Sequence, residues 1–105
     1  MPPRRTPRPS REVTELLERR DQLESSFFDR MEENRERYAL AEEIEQDNEI
    51  TERTRDRRLA SINAKIEATE DEMGDYKDEI DRINATLAAM GLRVEPFENV
   101  IDRQC

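Results

Sequence analysis

Apolar residues between Leu59 and Met90 recur at alternating steps of three and four: Leu59, Ile62, Ile66, Met73, Tyr76, Ile80, Ile83, Leu87 and Met90. One polar interruption falls at Thr69. This is a heptad pattern, with Leu59, Ile66, Met73, Ile80 and Leu87 at a and Ile62, Thr69, Tyr76, Ile83 and Met90 at d. A helix carrying such a stripe cannot bury it alone and must lie along another helix. These nine apolar residues are the candidate oligomer interface.

The frame extends upstream without a shift, but there it weakens. Leu17, Glu24, Met31, Tyr38, Glu45 and Glu52 fall at a, and Arg20, Phe27, Asn34, Ala41, Asn48 and Arg55 at d. Five of these twelve positions are apolar. Apolar residues flank them instead: Leu16, Leu23 and Ile44 at g, and Phe28 at e. A face this wide suits a bundle or a different partner. Leu16, Leu23, Phe27, Phe28, Met31, Tyr38 and Ile44 are therefore candidate docking residues.

Boundary signals are few. Ser10 is a candidate N-cap, with Glu12 and Glu15 favourable in or near the first turn. Gly91 is a stop, with Leu92 placed over Leu87 as in a Schellman motif. Between Ser10 and Met73 there is neither glycine nor proline. The expected fold is all-α: one long, largely continuous helix over about 10–90, roughly 120 Å long, forming a coiled coil. The alternative is a turn around Asp47-Asn48, with Thr51 capping a second helix, which folds the chain into a hairpin. The continuous frame places Glu45 and Glu52 opposite their own copies.

In this reading the chain divides into a basic, proline-rich disordered arm (1–9), a weakly patterned helical half (10–58), the heptad coiled coil (59–90) and a tail (91–105). Pro96 suits the start of a short helix in the tail, with Phe97, Val100 and Ile101 on one side as further docking candidates.

Composition supports an extended helix over a compact globule. Hydrophobic residues make up 33% and charged residues 43% of 105, too few apolar residues for an ordinary core. The net charge of −9 is unevenly spread. Residues 1–11 carry Arg4, Arg5, Arg8 and Arg11 and no acid. An acidic rod repels phosphates, so nucleic acid is an expected partner only through that arginine arm, the candidate contact for an anionic partner. Thr6-Pro7 and the Pro3/Pro7/Arg8 pattern are weak recognition motifs. A basic-leucine-zipper arrangement does not fit, because proline interrupts the basic residues and leucine does not occupy d.

Candidate chemistry is sparse. The sequence has no histidine and a single cysteine, Cys105, so no intrachain disulfide and no usual transition-metal ligand set is expected. The acidic run from Glu70 to Asp81 lacks calcium-loop spacing. No cofactor, metal or catalytic residue is expected. No apolar run approaches a membrane span, and a soluble cytoplasmic or nuclear protein is expected.

The function expected from sequence is a non-enzymatic structural or scaffolding protein. It self-associates through 59–90 as a parallel dimer or trimer and binds other helical proteins. In a parallel pair Lys65 meets Glu70, Glu72 meets Lys77, and Arg37 meets Glu42. Two alternatives are an obligate subunit of a heteromeric helical bundle and a nucleic-acid-associated factor using the arm.

Overall fold

The computed structural model describes residues 10–104. Arg4, Arg5, Arg8, the Thr6-Pro7 motif and Cys105 lie outside the described residues. The elements run α1 (Arg11–Gln46), α2 (Glu52–Ala89) and α3 (Phe97–Gln104). The two long helices pack antiparallel, and α3 closes their open end.

The helix starts where its capping residues stand. Ser10 is extended, and its hydroxyl accepts from the Val13 amide at 3.2 Å. This satisfies one of the amides that the first turn leaves without an intrahelical partner.

The expected continuous helix is not observed: the chain breaks at Asp47 and turns back. The break uses no glycine or proline, and no non-glycine residue among those described adopts a positive φ. Polar side chains form it instead. Asp47 Oδ1 accepts from the Glu49 amide at 2.9 Å, an Asx-type turn that competes with the helical ladder. Thr51 is extended, and its hydroxyl caps α2 through the Thr54 amide at 3.2 Å. Arg55 Nη2 then reaches back to the Asp47 carbonyl at 2.5 Å. Glu45 and Glu52 consequently flank the turn as exposed residues.

At the other end of α2 the Schellman stop is present. Gly91 takes φ of 87°. Its amide bonds the Ala88 carbonyl at 3.0 Å, and the Leu92 amide bonds the Leu87 carbonyl at 3.1 Å. An L-residue with a Cβ is strained at that φ. Leu92 itself stays exposed, so the backbone bonds make the stop without a buried leucine pair.

The core occupies the half of the hairpin remote from the turn. Val13, Leu23, Phe27, Ile80, Ile83, Leu87 and Phe97 form one buried cluster. Ile80 and Leu87 are 0% exposed, as expected for a positions facing a partner helix. That partner is α1 of the same chain.

Candidate interaction surfaces

The predicted interface residues split into two groups along the hairpin. Ile66, Ile80, Ile83 and Leu87 are buried, and Met73 and Tyr76 are half-buried against the core. The first four are covered, and Met73 and Tyr76 partly covered, within a single chain. Leu59 and Ile62, nearer the turn, are half-buried and outside that core, while Met90 is exposed. The docking candidates divide likewise. Leu23, Phe27 and Phe97 are buried in the core, with Leu16, Phe28, Met31, Val100 and Ile101 packed at its edge. Tyr38 is 55% exposed and Ile44 half-buried. Arg11 is exposed and bonds Glu15 at 3.0 Å.

Of the charged residues expected to pair between parallel copies, Glu72, Lys77 and Arg37 pair within the chain, while Lys65, Glu70 and Glu42 make no ion pair among the described residues. Glu72 takes Arg30 of α1 at 3.2 Å. Lys77 takes Asp81 at 3.1 Å and Glu98 at 3.5 Å. Arg37 lies 3.9 Å from Glu33. The Tyr76 hydroxyl and Arg30 both donate to Glu72, which holds its carboxyl below the usual range.

Three buried polar residues fix the antiparallel register, a role the sequence did not announce. Asn34 donates from Nδ2 to the Ile66 carbonyl at 3.3 Å and accepts from Arg37 at 2.8 Å. The same Arg37 nitrogen donates to the Thr69 hydroxyl at 2.8 Å. Asn84 accepts from Arg20 at 3.0 Å and donates to the Glu95 carbonyl at 3.4 Å. Heptad spacing revealed Asn34 and Thr69 only as interruptions, because a polar residue at d shows nothing of its partner until the chain turns.

Toward the turn the polar and apolar surface changes character. Met31, Asn34, Arg35, Tyr38, Glu70 and Met73 line a groove of about 310 Å³ between α1 and α2. Tyr38 crosses it to Glu70 at 2.7 Å, a bond that raises the phenol above its ordinary range. Leu40, missed in the sequence because it falls outside a, d, e and g, is 46% exposed. Among the described residues no ion pair involves any residue from 38 to 71.

Among the described residues no helix is long and apolar enough to cross a membrane. No protein-family model, curated protein or solved structure matches the chain.

Proposed function

We propose that the chain is a non-enzymatic helical-hairpin interaction module. One half is a self-sufficient folded core, and the half nearer the turn is a docking surface for another protein. The observation that carries this reading is the uneven use of apolar residues. Most of those remote from the turn are collected into one core closed by α3, with Met90 and Leu92 left exposed where α2 ends. Nearer the turn, Ile66 is buried, but Tyr38, Leu40, Ile44, Ile50, Leu59 and Ile62 are exposed or half-exposed. Single exposed apolar residues are ordinary, but these six lie together outside the core and include the two most exposed large apolar side chains, Tyr38 and Leu40, which supports an interaction surface on this half. Self-association through 59–90 is retained in a narrower form: the stretch open to a partner is the part of α2 before Ile66, together with the end of α1.

The test is the stability of Tyr38→Ser/Leu40→Ser. Docking residues contribute little to the free chain, so chemical unfolding should shift by within about 0.5 kcal/mol per site. A loss of several kcal/mol would mean that these side chains serve the fold, and would overturn the reading.

A further inference from the structure

We propose that the partner is another copy of this chain, with the turn half of each hairpin stacking one face onto the opposite face of the next. This rests on the interaction reading above and names the occupant.

Two observed contacts identify the faces. The Tyr38–Glu70 bond spans one side of the hairpin. Heptad and half-heptad steps toward the turn from that pair lead to Glu42 and Glu45 on α1 and to Glu67 and Asp56 on α2. All four are exposed; with Glu70 they outnumber the two arginines on the same side, Arg35 and Arg53, so this face is net acidic around Tyr38 and Leu59. The Arg30–Glu72 ion pair spans the other side. The same steps from it lead to Arg37 and Ile44 on α1 and to Lys65 and Arg58 on α2. Leu40 and Ile62 lie one turn from these, giving a basic face with an apolar centre. Arg58, Lys65 and the four carboxylates have no ion pair within the described residues.

A face set against its own copy brings like charges together, which is disfavoured. A simple translation of one hairpin onto the next instead brings Asp56 to the level of Arg58 and Glu67 to the level of Lys65. It also sets Tyr38 and Leu59 against Leu40 and Ile62. Such a contact is heterologous, so it leaves a free face at each end and propagates. Some eighteen residues of each long helix, about 27 Å by 20 Å for two neighbours, offer roughly 540 Å² per partner and about 1,100 Å² in all. That is the lower edge of a specific interface, so association should be concentration-dependent.

The experiment is light scattering on the full chain across concentration, in about 20 mM and about 500 mM salt, which differ strongly in screening. The expected result in low salt is a mass that rises beyond twice that of the chain, with a return toward monomer in high salt. Two folded variants complete it: Tyr38→Ser/Glu67→Gln/Glu70→Gln on the acidic face, and Leu40→Ser/Arg58→Gln/Lys65→Gln on the basic face. Each alone should be monomeric. Their equimolar mixture retains one good junction and should stop at twice the chain mass. A wild-type chain that stays monomeric in low salt overturns the proposal, as does a variant that keeps the wild-type mass or a mixture that grows past two chains. If wild type is monomeric while Tyr38→Ser/Leu40→Ser leaves stability unchanged, self-stacking fails and the interaction reading stands.

Discussion

The rings of Phe27 in α1 and Phe97 in α3 meet edge to face, with centroids 4.9 Å apart. Phe28 adds a second edge contact to Phe97 at 5.8 Å. Eight residues are too few for a helix to persist in water unaided, so α3 depends on this anchor and on the Lys77–Glu98 and Asn84–Glu95 contacts. Phe97 is 1% exposed. Phe97→Ala should therefore cost about 3–5 kcal/mol in chemical unfolding. Amide exchange should accelerate first in α3. A loss below about 1 kcal/mol would show that α3 is not part of the core.

The turn makes a geometric prediction. Arg19 and Glu79 form an ion pair at 3.1 Å, so spin labels at the neighbouring exposed Glu18 and Asp78 should lie within easy reach of each other. A continuous helix would separate them by roughly 90 Å. Pulsed dipolar spectroscopy decides between the two. Thr51→Ala should leave the short distance in place while lowering stability by about 1 kcal/mol, the usual value of an N-cap.

Helix ends and core faces were legible in the sequence because each has a local cause. Ser10 caps, Gly91 takes the left-handed conformation, and the a and d positions of α2 include its most buried residues. The partner of that stripe was not legible. A heptad shows that a helix is covered, not whether its own chain or a copy covers it. The deciding signal was a turn built from Asp47 and Thr51, weaker in sequence than Gly or Pro. Residues such as Arg20 and Asn34, which made the upstream frame look poor, turn out to be bonded across the hairpin. Of the candidate surface, Tyr38 and Ile44 were legible as apolar positions, but Leu40 was not.

Two glutamates should give pH dependences of opposite sign. Burial holds the Glu24 carboxyl above its usual value, against the attraction of Arg20 and with help from Asp21 and Glu95. With a raised folded pKa, its contribution is best below the unfolded value and declines as pH climbs through the folded one. Glu24→Gln should match wild type near pH 4 and gain on it toward pH 7. Glu72 is lowered by the Tyr76 hydroxyl and Arg30, so its contribution is present above the unfolded value and lost as pH falls through the folded one. Glu72→Gln should be less stable than wild type at pH 7, with the difference closing in acid. Thermal melts of both variants across pH 3–7 check this, and trends of the same sign would contradict the assigned surroundings.

The pairing of Arg20 with Asn84 supplies the sharpest test of how polar groups set the register. Asn84 is 8% exposed, and its side-chain oxygen receives Arg20 at 3.0 Å. The Arg20 Nε is already buried without a hydrogen-bond partner, with Glu24 4.0 Å away. Asn84→Leu keeps the bulk but removes the acceptor and leaves the Glu95 carbonyl without its side-chain donor. An unsatisfied buried polar group costs about 1–3 kcal/mol, so this substitution should destabilise by that amount. Arg20→Met/Asn84→Leu removes both members and substitutes apolar contact, which is often close to neutral. The double variant should therefore recover most of the loss, with a coupling energy of at least about 1 kcal/mol in the mutant cycle. Additive losses would mean that Asn84 acts through the Glu95 carbonyl alone, and that Arg20 is a bystander at the closed end of the hairpin.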